Sequence, residues 1–124
     1  EPWTLTIPKG DLPWINSNQR VHRMVTAKAT AAWKAAAIDA DRANPLPYVH
    51  AGLQVHVTAT FHKARAGRWD VGNLYPTAKA ILDGIVAAGV LYDDDNLHVI
   101  GPDMRAGEKR AEACVVITIE PVAA

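Results

Sequence analysis

The chain has 124 residues, of which 49% are hydrophobic and 21% are charged. This length suits one domain, which would bury roughly two thirds of the surface that the unfolded chain exposes. The composition excludes a low-complexity or largely disordered chain. Thirteen basic side chains balance thirteen acidic ones, so the net charge gives no argument about nucleic acid.

The distribution of charge carries more information than its sum. Basic residues gather in two segments, which contain Arg20, Arg23, Lys28 and Lys34, and Lys63, Arg65 and Arg68. The densest acidic run is Asp93–Asp95. A neutral protein with this distribution can present a basic surface around an acidic centre. The alternative is that these charges are solvated and lie on unrelated faces.

The single cysteine, Cys114, excludes an internal disulfide and a zinc site built from several cysteines. Because it lies in the apolar run "ACVVITI", a buried strand residue is favoured over a catalytic thiol. No apolar run reaches the roughly 18 residues of a membrane-spanning helix, and no charged-then-apolar leader opens the chain. We therefore expect a soluble intracellular protein with no membrane partner.

The first predicted elements are a strand, a long loop and a helix. Residues 3–7, "WTLTI", alternate in the manner of a strand and are followed by the polar loop "PKGDLPWINSNQR". Long loops in compact domains are often functional. Residues 26–42 favour a helix by propensity, with Thr26 as its candidate cap.

The second predicted strand covers residues 52–62, "GLQVHVTATFH". Its apolar and polar residues alternate strictly, which indicates a strand with one buried face. The alternation predicts that His56 and His62 face away from the core. A basic, glycine-containing loop, "KARAGRWDVGN", follows.

The second predicted helix runs from about residue 74 to residue 88. Pro76 is acceptable because it falls in the first turn, and Gly89 follows as a C-terminal stop. An apolar stripe makes this helix amphipathic; it consists of Ala78, Ile81, Leu82, Ile85 and Val86.

The segments "NLHVIG" and "EACVVITIE" complete the chain as two strands. We expect a basic turn between them that contains Arg105, Lys109 and Arg110. The order β-α-β-α-β-β predicts a single α/β or α+β domain over residues 1–124, with two helices packed on a mixed sheet of about four strands.

Acidic residues stand on both sides of the second helix, which would be about 22 Å long. Asp70 precedes it and Asp93–Asp95 follows it. If the preceding strand ends near Asp70 and an adjacent strand starts near Asp94, the helix is a crossover. Both carboxylates can then lie on one side of that helix.

Converging carboxylates repel one another unless a proton or a cation lies between them. Oxygen ligands without cysteine favour Mg²⁺ or Mn²⁺, and Mg²⁺ typically binds through one or two carboxylates with waters and substrate phosphate. Metal-dependent phosphoryl chemistry is the natural hypothesis.

The same residues also have a purely structural interpretation. The aspartate run is typical of a solvated turn after a helix, and Asp70 suits a loop or capping position. Lys79 and Asp83 lie four apart on one helix flank and would then form a surface ion pair.

In combination, these segments resemble the RusA-like Holliday junction resolvases, also called crossover junction endodeoxyribonucleases. The resemblance covers nearly the whole chain. An opening strand ending in proline is followed by the Asn-rich loop "WINSNQR". The family's Asp-x-Asp-Asn-Leu hallmark is matched by "DVGNL", its lysine-bearing helix by "TAKAILDGI", and its terminal aspartate pair by "GVLYDDD".

The resemblance implies a homodimeric, Mg²⁺-dependent endonuclease, with Mn²⁺ as a possible substitute. Such an enzyme nicks four-way DNA junctions symmetrically in recombination and repair, and leaves 5′-phosphate and 3′-hydroxyl ends. The implied location is the cytoplasm of a bacterial cell, with a phage or prophage as one origin of the gene.

Site residues follow from the resemblance one by one. Asp70 corresponds to the first catalytic and metal-binding aspartate and Asp94 to the last, with Asp93 beside it; Asp95 takes that place if the register slips by one. Lys79 corresponds to the essential lysine. It lies three positions further past the Asn-Leu pair than in the family's pattern, which an extended first helical turn would absorb.

Gly72 departs from the family's pattern, because it stands where the second metal-binding aspartate is expected. Three explanations remain open. Asp83, Asp93 or Asp95 replaces the missing ligand, water takes its place and the metal binds more weakly, or the protein binds junctions without cutting them. Retained catalysis is our expectation, since the rest of the constellation is intact. A third class, a small α/β protein with no DNA role, stays as the weakest alternative.

Basic and loop residues would contact DNA if the resemblance holds. Their contacts with backbone phosphates would make affinity fall steeply with salt. Trp69 has an ordinary packing role as an equal alternative. The predicted DNA-contacting set is Arg20, Arg23, Lys63, Arg65, Arg68, Asn16, Asn18 and Trp69.

Overall fold

A computed structural model describes residues 2–18, 22–49 and 53–122. The elements are β1 (Trp3–Pro8), α1 (Arg23–Ala43), β2 (Val55–His62), a short 3₁₀ helix (Val71–Leu74), α2 (Tyr75–Ala87), β3 (Val99–Ala106) and β4 (Cys114–Pro121). The predicted order of strands and helices is confirmed.

The four strands form one mixed sheet in the order β1-β4-β2-β3. Strand β4 pairs antiparallel with both β1 and β2, whereas β2 and β3 are parallel. The connection from β2 to β3 runs through α2, as a parallel pair requires. The predicted α+β fold with a mixed four-stranded sheet is therefore confirmed.

One face of the sheet forms the core with the two helices. Alternate strand residues point into it, because side chains of a strand alternate between its faces. Leu5 of β1, Ile117 of β4 and Ala59 of β2 lie in one row across the sheet and are all buried. The opposite face is polar, and its central row contains Thr4, Thr118, Thr58 and Asp103.

Helix α1 is longer than predicted and begins at Arg23. The prediction of Thr26 as the cap was wrong: His22 is the cap residue, and its Nδ1 accepts a hydrogen bond from the Met24 amide at 3.1 Å. The carbonyl of Thr26 instead accepts a hydrogen bond from the Thr30 hydroxyl. Among the described residues, no helix is both long and apolar enough to cross a membrane.

Helices α1 and α2 approach each other closely at Gly84. A Cβ atom at this position would lie 2.5 Å from the Lys34 carbonyl oxygen and 2.8 Å from the Ala37 Cβ. Glycine facing alanine thus lets the helices pack almost backbone to backbone. On α2, the predicted stripe is buried except for the half-exposed Val86, and Gly89 ends the helix at φ +85°.

His56 and His62 lie on the sheet face opposite the helices, as the alternation of β2 predicts. His56 is half-buried and contacts Asp103 at 2.6 Å. His62 is nevertheless buried, because the connection between β3 and β4 folds over it and the Glu108 carbonyl contacts its Nδ1 at 2.9 Å. Arg105 was expected in a turn, yet it belongs to β3, which extends to Ala106. Cys114 is buried at the start of β4, as predicted.

Candidate functional site

Helix α2 presents Lys79 and Asp83 on its outer flank. Its apolar stripe packs on the sheet, which turns these two positions, one helical turn apart, toward the segment that follows the helix. The Lys79 Nζ donates a hydrogen bond to Asp83 Oδ1 at 2.9 Å. About two fifths of each side chain remains exposed, 42% for Lys79 and 43% for Asp83.

The segment after α2 brings Asp94 to the same lysine. The Lys79 Nζ also donates to Asp94 Oδ2, and the Asp94 side chain is only 24% exposed. The Asp94 amide in turn donates to Asp93 Oδ1 at 2.7 Å. Lys79, Asp83, Asp93 and Asp94 therefore form one group, which we call the acid–lysine cluster.

The charges of the cluster stabilise each other. The hydrogen bond from Lys79 lowers the pKa of Asp94 below its ordinary value of 3.8, although partial burial opposes this shift. Partial burial also opposes the charge of Lys79, but hydrogen bonds with Asp94 and Asp83 outweigh it and raise the lysine pKa. The lysine is therefore a firmly protonated cation beside the ionised carboxylate of Asp94.

Asp95 points away from this cluster. Its Oδ1 accepts hydrogen bonds from the Leu97 and His98 amides at 3.1 Å and contacts His98 Nδ1 at 2.5 Å. The contact with His98 lowers the pKa of Asp95. The turn interpretation of the aspartate run describes Asp95 well, whereas Asp94 has a different role.

Asp70 caps the 3₁₀ helix that precedes α2. Its Oδ1 accepts a hydrogen bond from the Gly72 amide at 3.0 Å, and no hydrogen bond to Oδ2 is found within the described part of the chain. Neither end of the expected crossover lies at a strand terminus: β2 ends at His62, before Asp70, and β3 begins at Val99, after Asp94. That part of the prediction was wrong, because loops lengthen both connections.

The side chains of this site carry the oxygen ligands that Mg²⁺ prefers, but few of these ligands lie close together. Among residues 2–18, 22–49 and 53–122, no three His, Cys, Asp or Glu side chains converge closely enough to hold a metal. Mg²⁺ nevertheless commonly binds through one or two carboxylates and several waters. Asp94 with Asp83 or Asp93 supplies that number of oxygen ligands.

The long loop after β1 is fastened to the start of α2. The Ile15 amide donates to the Thr77 hydroxyl at 2.8 Å, and that hydroxyl donates to the Ile15 carbonyl at 3.0 Å. The Ser17 amide donates to the Asn73 carbonyl at 2.8 Å. The loop is therefore joined to the lysine-bearing helix through the Thr77 side chain, and to the 3₁₀ helix before it through a main-chain hydrogen bond.

The predicted DNA-contacting residues occupy several places. Lys63 lies with its Nζ 4.6 Å from the centre of the Trp69 ring, while Arg65 and Arg68 are exposed in the same loop. Trp69 also packs partly against the core, so its packing role is real. The remaining positions are Arg23, exposed at the start of α1, Asn16, which accepts a hydrogen bond from the exposed Asn18, and Arg20, which lies outside the described residues.

Sequence reasoning missed two residues next to this basic loop. Lys9 and Trp14 line the same cavity as Lys63 and Trp69, and the Lys9 Nζ lies 5.6 Å from the Trp14 ring centre. A tryptophan within the polar loop after β1 was the available signal. Their position depends on β1 pairing with β4, where the Lys9 amide donates to the Ala113 carbonyl.

A comparison with protein-family models finds none that matches this chain, and a comparison with curated proteins finds no significant match. The resemblance to RusA-like resolvases rests on the residues and their spacing.

Proposed function

We propose that this protein is a RusA-like, Mg²⁺-dependent endodeoxyribonuclease that resolves four-way DNA junctions. The observation that carries the proposal is the acid–lysine cluster, in which Lys79 is held between Asp83 and Asp94. A protonated lysine beside carboxylates that can bind a metal is suited to phosphodiester hydrolysis. Mn²⁺ is the expected substitute metal.

Each residue of the proposed site has a chemical task. Asp70 and Asp94 would hold Mg²⁺, with Asp83 or Asp93 in place of the carboxylate that Gly72 lacks. Binding through all three would require these side chains to move closer together than the described residues hold them. A bound Mg²⁺ supplies an activated water and neutralises charge on the phosphate. The ammonium of Lys79 stabilises the negative charge that develops on the phosphate oxygens. The ordinary lysine pKa of 10.5 already keeps this charge present at neutral pH, and the hydrogen bonds with Asp94 and Asp83 raise that pKa further.

The basic loop after β2 supplies the contacts with DNA in this proposal. Lys63, Arg65 and Arg68 neutralise backbone phosphates and so release counterions from the DNA. Affinity therefore falls as the salt concentration rises, because that release becomes less favourable. A twofold homodimer suits a junction with two equivalent strands to cut. The proposed setting is recombination or repair in the cytoplasm of a bacterial cell, with phage DNA processing as a further setting.

A gel assay tests this proposal directly. A labelled four-way junction and a linear duplex of matched length are incubated with the protein, with and without Mg²⁺. We expect paired nicks in the junction alone, ends that DNA ligase can rejoin, and no cleavage by Asp94→Asn or Asp70→Asn. Folded dimeric protein that cuts nothing in Mg²⁺ or Mn²⁺ would contradict the nuclease assignment.

A non-catalytic junction-binding protein is the second candidate. Gly72 favours it, as does the lack of three converging metal-binding side chains in the described residues. This candidate predicts salt-sensitive junction binding that is unchanged by a metal chelator. Metal-dependent nicking excludes it, and the absence of any salt-sensitive DNA binding excludes both candidates.

A further inference from the structure

The cavity beside the basic loop differs from the rest of the proposed site in the kind of side chain that lines it. Its volume is about 430 Å³. None of the described residues that line it is acidic, and its charged and aromatic lining consists of Lys9, Trp14, Lys63, Arg65, Arg68 and Trp69. Four cations around two indole rings form a site for an anion that also carries an aromatic group.

The two indole rings are held by different contacts. Trp14 is stacked on Trp33, with ring centres 5.6 Å apart and planes inclined by 15°, so the fold fixes its position. Trp69 lies within the basic loop, and the Lys63 ammonium lies over its ring. The cavity is therefore lined by two indole rings: that of Trp14, which is held in place by stacking, and that of Trp69, which is covered by a lysine.

The lysine contacts are of a kind that a ligand can replace. A cation over a partly exposed indole is a weaker contact than a nucleobase stacked on the same ring. None of Lys9, Lys63, Arg65 and Arg68 forms a salt bridge with a carboxylate of the described residues. A lysine displaced from an indole by a base can therefore bind the phosphate attached to that base.

We infer that this cavity binds one unpaired nucleotide, with its base stacked on Trp69 beside Trp14 and its phosphate on the surrounding cations. Bases in duplex DNA are stacked on their neighbours, whereas bases at the exchange point of a branched DNA are easier to unstack. The cavity would therefore favour branched or single-stranded DNA over intact duplex. This inference deepens the proposed function, on which its biological meaning rests, but binding itself requires no metal and no cleavage.

A second, smaller cavity of about 150 Å³ adjoins the same loop. It shares Lys63, Arg65 and Trp69 with the first and adds Lys109 from the connection between β3 and β4. The Arg110 amide donates to the Lys63 carbonyl at 3.0 Å, which links that connection to the loop. The neighbouring phosphate of the same strand has a cationic place to bind there.

Binding in metal-free buffer tests the inference independently of catalysis. The probes are a short single-stranded oligothymidylate, an abasic oligonucleotide of the same length, thymidine monophosphate and a duplex. We expect oligothymidylate to quench tryptophan fluorescence and to bind more tightly than both the abasic strand and the duplex. Binding of the mononucleotide alone, with no gain from the strand, would assign the cavity to a free nucleotide and overturn the DNA-strand inference.

Matched variants assign the binding to the cavity. Trp69→Ala should weaken oligothymidylate binding about tenfold and leave abasic binding nearly unchanged, whereas Trp69→Phe, which keeps an aromatic face, should restore most of the affinity. Lys63→Gln should weaken both probes, more than Lys28→Gln, which removes the same charge from the exposed face of α1. Equal affinity for normal and abasic strands, or no effect of Trp69→Ala in a folded protein, would overturn the inference. If the cavity binds the oligonucleotide but the protein never cleaves DNA, the result would contradict the nuclease proposal and leave the binding inference intact.

Discussion

The ammonium of Lys79 is bound to the carboxylate of Asp94, which lies fifteen positions further along the chain. The contact links the exposed flank of α2 to the segment that leads into β3. Without a metal, the lysine is the counter-ion of the acid. If the proposed metal binds Asp94, it would compete with this contact and leave the ammonium of Lys79 available to a phosphate.

The ion pair between Lys79 and Asp94 should make the free energy of unfolding depend on pH in the acidic range. The pKa of Asp94 is lowered in the folded state, so its contribution to stability is present above about 3.8, the ordinary pKa, and is lost as pH falls through the lowered value. We expect Asp94→Asn to reduce the free energy of unfolding by about 0.5–1 kcal/mol near neutral pH, because the pair is partly screened by solvent and Lys79 keeps its hydrogen bond with Asp83. Urea unfolding at a series of pH values measures this. Asp39→Asn, which breaks the exposed pair with Arg42, is the control and should cost less; an Asp94 effect that persists at the lowest pH would contradict the assignment.

Lys79→Gln should separate metal binding from catalysis. Removing the ammonium leaves Asp94 free for a cation, so we expect several-fold tighter Mg²⁺ binding in calorimetry. Junction cleavage should fall by about 100-fold or more, because the charge on the transferring phosphate loses its partner. Lys28→Gln is the control for loss of a surface charge. Unchanged Mg²⁺ affinity would show that Lys79 does not compete with the metal.

Gly72→Asp should restore the carboxylate that the family's pattern places at this position. A Cβ here would lie 3.3 Å from Asp70 Oδ1, so the Asp70 side chain must shift by a few tenths of an ångström to admit it. We expect lower stability without metal, from repulsion between the two carboxylates, and higher Mg²⁺ affinity. Gly72→Ala adds the Cβ without the charge and is the control. Equal metal affinity in both variants would argue against a metal beside Asp70.

The sign of the stability change in Gly84→Ala tests how closely the two helices pack. Helix propensity alone predicts that alanine stabilises α2 by up to about 1 kcal/mol. The contact with the Lys34 carbonyl oxygen instead predicts a loss of roughly 1–3 kcal/mol, because the helices must move apart. Thermal and urea unfolding distinguish the two. Ala87→Gly, on the exposed end of the same helix, should show the propensity effect without the packing effect.

Local sequence signals were sufficient to predict the type and order of the strands and helices, but not the start of α1 or the extent of β3. The alternation of β2 and the apolar stripe of α2 each depend on neighbouring residues, so both are visible in the sequence. The burial of His62 was not, since the group that covers it, Glu108, lies 46 positions away. The same applies to Lys9 and Trp14, which join the basic loop only after β1 pairs with β4.

The candidate site was predictable in part. Resemblance named Lys79 and Asp94, and the structure brings these two together. It named Asp70 as well, but the hydrogen bonds of that carboxylate remain within its own turn. Asp95 was an alternative ligand, and its distance from the cluster follows from its contact with His98, which the letters "DDD" do not indicate.

The paired hydrogen bonds between Ile15 and Thr77 have a consequence for where a strand would be cut. They attach the loop after β1 to α2 two positions before Lys79, so the loop and the lysine move as one body. A nucleotide bound beside Trp14 would then lie at a fixed distance from the phosphate that the proposed nuclease cleaves. Substitutions on the loop surface should then change how often the protein cuts without changing the nucleotide at which it cuts.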